Sequence, residues 1–129
     1  MLLGKSGALV ILFLAFACVD THPPITENAE FEVKRSAIAE IESPDFRVLQ
    51  VRDEDGAIRV EVTLTPPAAT ESETHRRTLN TLMEIQTVAG NSDRLAVWTY
   101  QDNQQEVQGM AFYSPLSEQY HFKSAGELR

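Results

Sequence analysis

Residues 46–65 read FRVLQVRDEDGAIRVEVTLT, and this stretch decides the fold of the chain. Asp55-Gly56 is a strong signal for the two-residue turn of a β-hairpin, with one strand on each side. The strand after the turn alternates apolar with polar residues from Ile58 to Thr65. Such alternation indicates one buried and one solvent-exposed face, which is typical of an antiparallel sheet.

The turn also predicts how the two strands are aligned. With Asp55-Gly56 at the turn, Val51 lies opposite Val60 and Leu49 lies opposite Val62. Apolar side chains then meet apolar side chains on one face of the hairpin, which supports this alignment.

A helix follows the hairpin after Pro66-Pro67. Thr70-Glu71-Ser72-Glu73 is a capping box, in which the threonine hydroxyl and Glu73 satisfy the first turn of the helix. Gly90-Asn91 is a typical stop signal, so the helix is expected to end near Ala89. Its predicted apolar stripe is formed by Leu79, Leu82 and Met83, with Ile85 and Ala89 at the margin.

The remaining elements are predicted to be strands. Residues 31–41 alternate in a way that favours a strand, although their Ala, Glu, Lys and Arg residues would tolerate a helix. Three further strands are expected at 94–101, 107–114 and 118–123, and residues 125–129 are expected to be a tail. The predicted fold class is therefore α+β, with two layers: a largely antiparallel sheet of about five to six strands and one helix packed on one face. The helical crossover could make the strands before and after it parallel.

The composition limits the range of functions. The chain has 129 residues and a formal net charge of −8. Such an acidic domain is repelled by phosphate backbones, so nucleic acid is not an expected partner. The single cysteine, Cys18, excludes an internal disulfide.

The first residues have the plan of a signal peptide. Lys5 supplies a positive charge, Gly7 to Ala17 is an apolar run, and small residues at Ala15 and Ala17 form an A-x-A cleavage site. The run is shorter than the roughly 20 apolar residues that a membrane-spanning helix needs.

Leu14-Ala15-Phe16-Ala17-Cys18 resembles the lipobox of bacterial lipoproteins, with Ala17 and Cys18 as the matching residues and Phe16 at a position where a small residue is usual. The resemblance implies that residues 1–17 are removed and that Cys18 carries a lipid that holds the protein on a membrane. The A-x-A site leaves a second interpretation open: signal peptidase cuts after Ala17, and the protein is soluble and secreted or periplasmic.

The polar residues 18–29, with their Pro-Pro pair, then read as a tether before a single domain over residues 30–124.

Other candidate sites have simpler structural explanations. Asp53, Glu54 and Asp55 could bind calcium, but a hairpin turn accounts for them. Glu71 and Glu73 are explained by helix capping, without a metal and without a role for His75. There is no G-x-S-x-G elbow, no glycine-rich phosphate loop and no zinc spacing, so no catalytic, cofactor or metal site is predicted. His121 on a predicted strand is interpreted as an ordinary strand residue.

The aromatic residues are the most suggestive feature. Six of them fall in the last three predicted strands, where Trp98 and Tyr100 share a face and Tyr113 could neighbour them. If the helix covers the other face, Trp98, Tyr100 and Tyr113 form a binding patch. The alternative is that these side chains face the helix and form the core.

The sequence thus predicts a small acidic lipoprotein of the bacterial cell envelope. Its expected role is that of a non-catalytic binding or accessory module, with the membrane and an envelope protein as partners. The alternative is a small periplasmic, hydrolase-like enzyme whose site the sequence does not reveal.

Overall fold

A computed structural model describes residues 23–101 and 106–129, with side chains from residue 29 onward. The predictions for residues 1–22, including Cys18, lie outside the described residues. All the described strands belong to one compact unit, Val33–Arg129. The elements, in chain order, are α1 (Pro23–Ala39), β1 (Phe46–Glu54), β2 (Ala57–Leu64), α2 (Glu71–Ala89), β3 (Leu95–Tyr100), β4 (Val107–Ser114) and β5 (Gln119–Ser124).

The five strands form one sheet in the order β1-β2-β3-β4-β5. All neighbouring pairs are antiparallel except β2 and β3, which are parallel and joined through α2. The fold is therefore α+β with a mostly antiparallel sheet, as predicted, and two α-helices are present among the described residues.

The central hairpin forms at the predicted turn. Asp55 and Gly56 have φ angles of 54° and 84°, as a two-residue turn with two left-handed residues requires. Val51 pairs with Val60, which confirms that part of the predicted alignment. The prediction for Leu49 is wrong, because a β-bulge between Val48 and Gln50 places Val48 opposite Val62. The extra residue of the bulge is Leu49, whose side chain is 46% exposed.

Helix α2 has the predicted ends. The Thr70 side chain accepts a hydrogen bond from the Glu73 N–H at 3.1 Å, and Glu73 Oε1 accepts one from the Ala69 N–H at 3.3 Å. Gly90 ends the helix with a φ of 85°. These capping contacts satisfy backbone groups that the first and last turns leave unpaired.

The buried side of α2 differs from the predicted stripe. Met83 is 44% exposed and Leu79 is half-buried, whereas three threonines and a glutamine lie in the interior. The three threonines are tolerated because their hydroxyls find hydrogen-bond partners: Thr81 donates to the Arg77 carbonyl at 2.8 Å, for example. The buried residues of α2 are Thr74, Thr78, Thr81, Leu82, Ile85, Gln86 and Ala89.

Residues 31–41 were expected to form a strand, but α1 extends through Ala39. Their apparent alternation has no counterpart in burial, since Val33 is 71% exposed and Ile38 is fully buried. The good helix formers in this segment instead favour the helix, and Ile38 gives it one apolar anchor in the core. Helix α1 begins at Pro23, within the range expected to be a tether.

The two faces of the sheet have different surroundings. Helix α2 contacts β3, β4 and β5, and on that face the strands carry the buried core residues. We call the opposite face of the sheet the open face, because Thr63 is its one buried residue among those described. The core residues contributed by the strands are Phe46, Val51, Ile58, Val60, Val62, Leu64, Leu95, Val97, Ala111 and Tyr113.

The C-terminal residues are structured beyond β5. Gly126–Leu128 form a short 3-10 helix, and Glu127 Oε1 accepts a hydrogen bond from the Ser124 N–H at 2.8 Å. Arg129 forms an ion pair with Glu106 at 3.2 Å. Residues 125–129 were expected to be a tail, and the structure gives them these local contacts.

Candidate functional site

An arginine and a tryptophan form the centre of the open face. The Arg59 guanidinium carbon lies 4.0 Å from the ring centroid of Trp98, within the range of a cation–π contact. Arg59 comes from β2 and Trp98 from β3. The parallel pairing brings them together, because Arg59 lies opposite Ala96, two residues before Trp98.

Three further groups hold the Arg59 side chain in place. Its Nε donates to Glu61 at 3.1 Å, its Nη2 donates to the Tyr100 hydroxyl at 3.0 Å, and its Nη1 lies 3.3 Å from Glu54. The side chains of Arg59 and Glu61 are only 13% and 14% exposed. A planar guanidinium with its N–H groups bound in this way has little rotational freedom, so it covers the indole ring in a defined position.

The charge of Arg59 is secure at all ordinary pH values. Partial burial disfavours the charged form, but the hydrogen bond to Tyr100 and the carboxylates of Glu54 and Glu61 outweigh it and raise the pKa of Arg59. Arg59 therefore stays charged on the aromatic surface of Trp98, and the carboxylates of Glu54 and Glu61 balance its charge.

Apolar side chains continue from Trp98 across β4. Met110 lies opposite Trp98, and Phe112 lies opposite Ala96. The Phe112 ring stacks on His121 of β5, with centroids 4.9 Å apart. These side chains are half-buried on average and are bordered by polar ones. An apolar, aromatic and arginine-containing centre with a polar rim is the composition of protein–protein interfaces.

The indole of Trp98 presents its carbon surface rather than its N–H group. Nε1 is buried and has no hydrogen-bond partner among the described residues, whereas the residue as a whole is half-buried. The accessible part of Trp98 is therefore apolar, and a molecule that touches it would be held by van der Waals contact and by the neighbouring charges.

The open face carries more basic than acidic side chains, unlike the chain as a whole, whose net charge is −8. Lys123 is exposed beside Met110, and Arg52 is half-exposed while bonded to Glu61 at 2.7 Å. The sheet pairing assigns to this face the basic residues Arg47, Arg52, Arg59 and Lys123 and the acidic residues Glu54 and Glu61.

The three residues predicted as a patch lie on two different faces. Trp98 and Tyr100 share the open face, both half-buried. Tyr113 pairs with Leu95 and is buried on the face that packs against α2, where its ring lies 5.0 Å from that of Tyr120. Tyr113 therefore contributes to the core. On the open face, the side chain that contacts both Trp98 and Tyr100 is that of Arg59.

Arg59, Met110 and Phe112 were not singled out from the sequence. The alternation of β2 assigns Arg59 to the solvent-exposed face, and a parallel pairing would bring β2 beside β3. The position of Arg59 relative to Trp98 also depends on the pairing register, which the sequence does not reveal.

His75 lies apart from this cluster, and His121 lies at its margin. His75 is exposed and stacks on Phe122 at 4.3 Å, and His121 stacks on Phe112. Two clefts of about 340 Å³ each lie beside α2, near Glu71 and near Arg76, and neither His75 nor His121 lines them. Both clefts are open to solvent, and the described part of the chain brings together no group of three or more His, Cys, Asp or Glu side chains that could hold a metal ion.

The acidic clusters have the local roles expected for them. Asp53 Oδ1 accepts a hydrogen bond from the Gly56 N–H at 3.1 Å, and Arg94 donates to the Asp55 carbonyl at 2.7 Å. Both contacts stabilise the turn, and the first accounts for the carboxylate of Asp53.

Comparisons of the chain with protein-family models, curated proteins and solved structures found no match. None of the helices in the described ranges is both long and apolar enough to cross a membrane.

Proposed function

We propose that this protein is a small lipoprotein of the bacterial cell envelope, anchored through lipid on Cys18, and that its domain is a non-catalytic binding module. The proposal for the anchor is supported by the lipobox-like residues that precede Cys18. The proposal for the module is supported by one structural observation, the cluster of Arg59, Trp98 and Tyr100 on the open face of the sheet. The domain would hold a partner protein near the membrane.

The partner we infer is an acidic segment of another envelope protein. The cations of the open face, including the exposed Lys123 and the half-exposed Arg52, attract carboxylates. The apolar surface of Trp98 and Met110 would contact the aliphatic parts of the partner's acidic side chains. Basic partners are disfavoured at this face, while the acidic remainder of the domain repels an acidic partner elsewhere and so limits its binding to this face.

The single tryptophan makes the test direct, because all tryptophan emission comes from Trp98. Poly-glutamate is titrated into the full chain in nonionic detergent at low salt, with poly-lysine as the probe of opposite charge. We expect poly-glutamate to change the Trp98 emission with a saturable dependence, and we expect added salt to weaken the binding.

Matched charge reversals locate the binding surface. Lys123→Glu on the open face is expected to weaken poly-glutamate binding at least about fivefold, which corresponds to about 1 kcal/mol. Arg76→Glu, an exposed position on α2, makes the same change of charge outside the open face and is expected to have a much smaller effect. Equal effects of the two reversals, or no response to poly-glutamate, would contradict the proposed binding face.

A further inference from the structure

The two edge strands of the sheet differ in how they are protected. Strand β1 contains the bulge at Leu49, and charged residues dominate its second half, from Arg52 to Glu54. Bulges and charges are the usual means of preventing an edge strand from pairing with another chain. Strand β5 pairs with β4 without a register shift from Gln119 to Ser124 and carries one permanently charged residue, Lys123. The β5 edge is therefore the less protected one.

The free backbone groups of β5 belong to Tyr120 and Phe122. The Ser124 N–H is directed away from β4, since it donates to Glu127 Oε1 at 2.8 Å. In an antiparallel ladder, alternate residues direct their N–H and C=O groups to the same side. Tyr120 and Phe122 therefore direct theirs outward as well, and no strand lies beyond β5 among the described residues.

Apolar side chains flank this edge on the side of α2. Tyr120 is 41% exposed and Met83 is 44% exposed. The Phe122 ring stacks on His75, and the Tyr120 hydroxyl donates to Gln86. Because Met83 lies between His75 and Gln86 along the same side of the helix, it borders the edge. A strand added to β5 would thus meet apolar surface as well as free backbone groups.

We propose that β5 pairs antiparallel with β5 of a second copy of this chain, with the twofold axis at His121. This register pairs Tyr120 of each copy with Phe122 of the other, so the outward N–H and C=O groups of both residues are satisfied. The neighbouring registers are less favourable, because they need backbone groups that are already engaged. Centring the axis on Phe122 would require the Ser124 N–H, which Glu127 already occupies, and centring it on Tyr120 would bring in Glu118, whose φ of 56° belongs to the turn.

We infer that the partner of β5 is a second copy of the chain, because β5 is complementary to itself in this register. Two aromatic pairs form on the side of α2, where cross-strand aromatic contacts stabilise a sheet. On the open face, Gln119 of each copy lies opposite Lys123 of the other, a pairing without like charges. The two open faces would then form one continuous surface.

Disulfide trapping tests the position of the axis. In the full chain carrying Cys18→Ser, the substitution His121→Cys introduces the only thiol, and the two copies of position 121 face each other at non-hydrogen-bonded positions, where side chains are closest. We expect a covalent dimer under mild oxidation. The control Gln119→Cys places the two thiols four residues apart along the strands, about 13 Å, which is beyond the reach of a disulfide.

Charge substitutions at His121 test the same contact without a covalent bond. Position 121 is exposed, so the fold is expected to tolerate both His121→Glu and His121→Lys, which circular dichroism verifies. Sedimentation equilibrium of the full chain in nonionic detergent should show a dimer that each substitution weakens about fivefold, through like charges placed opposite each other. An equimolar mixture of the two variants should restore dimerisation, because the mixed pair is Glu opposite Lys.

Three results would overturn the inference. One is a chain that remains monomeric at hundreds of micromolar, another is equal trapping by His121→Cys and Gln119→Cys, and the third is a mixture of the charged variants that dimerises no better than either alone. None of these results depends on whether the open face binds an acidic partner.

Discussion

The guanidinium of Arg59 lies over the indole of Trp98, with 4.0 Å between its Cζ atom and the ring centroid. The two residues belong to different strands that are joined only through α2, so their contact depends on the parallel pairing of β2 with β3. The contact brings a fixed positive charge to the aromatic centre of the open face.

A double-mutant cycle should detect this contact as a coupling in the free energy of unfolding. With Arg59→Met and Trp98→Leu, we expect a coupling of about 0.5–1 kcal/mol from urea denaturation, the size of a partly exposed cation–π interaction. In a control cycle, Arg76→Met on the exposed surface of α2 should couple to Trp98→Leu by close to zero. Additive effects in the Arg59 cycle would mean that the contact contributes nothing to stability.

Removing the N-cap of α2 should destabilise the fold. Thr70→Ala deletes the acceptor of the Glu73 N–H, and we expect a loss of about 1 kcal/mol in thermal or urea unfolding. Thr87→Ala makes the same change in the last turn of α2, where the hydroxyl donates to the Glu84 carbonyl. Alanine is the better helix former there, so the control should be neutral or slightly stabilising. A Thr70→Ala protein as stable as the control would contradict the role of the cap.

Gly109 is required by the close approach of Phe122. A Cβ at position 109 would lie 2.8 Å from two atoms of the Phe122 ring, and that ring is stacked on His75. We expect Gly109→Ala to cost about 1–3 kcal/mol of unfolding free energy. The cost should fall in a Phe122→Leu background, where the ring is absent.

Gly126→Ala is the matched control for this effect, because the nearest atom to its Cβ is Ser124 Oγ at 3.9 Å. We expect a change within about 0.5 kcal/mol, as for other surface substitutions. If Gly109→Ala were equally mild, the Phe122 ring would have to move without loss of its packing.

Lipidation should depend on Cys18 alone. In bacterial cells grown with radiolabelled palmitate, we expect the wild-type chain to be labelled and the Cys18→Ser chain to be unlabelled. The attached lipid should also move the wild-type chain into the membrane fraction. Equal labelling of both chains, or labelling of neither, would leave signal peptidase cleavage after Ala17 as the better interpretation.

Local interactions explain which elements could be predicted from the sequence. The Asp55-Gly56 turn, the alternation of β2 and the Thr70 cap each depend on residues within a few positions of one another. The bounds of β4 and α2 follow from similar local signals. These features would be expected in any fold that contained the same segments.

The identity of α1 and the bulge at Leu49 were decided by packing. Residues 31–41 are compatible with helix and strand, and the observed helix buries Ile38 in the core. The bulge shifts the register of β1 so that Val48, and not Leu49, meets Val62. Neither choice can be made from neighbouring residues, because both depend on which distant side chains are available for contact.

By itself the sequence determined the hairpin, the ends of α2 and the α+β class, since short-range backbone preferences and alternation are sufficient for these. Only the tertiary structure decided the candidate site. The alternation of β3 and β4 does not reveal which face α2 covers, and that covering places Tyr113 in the core and leaves Trp98 on the open face. The parallel pairing of β2 with β3 then brings Arg59 to Trp98, a contact between two residues that the whole of α2 separates along the chain.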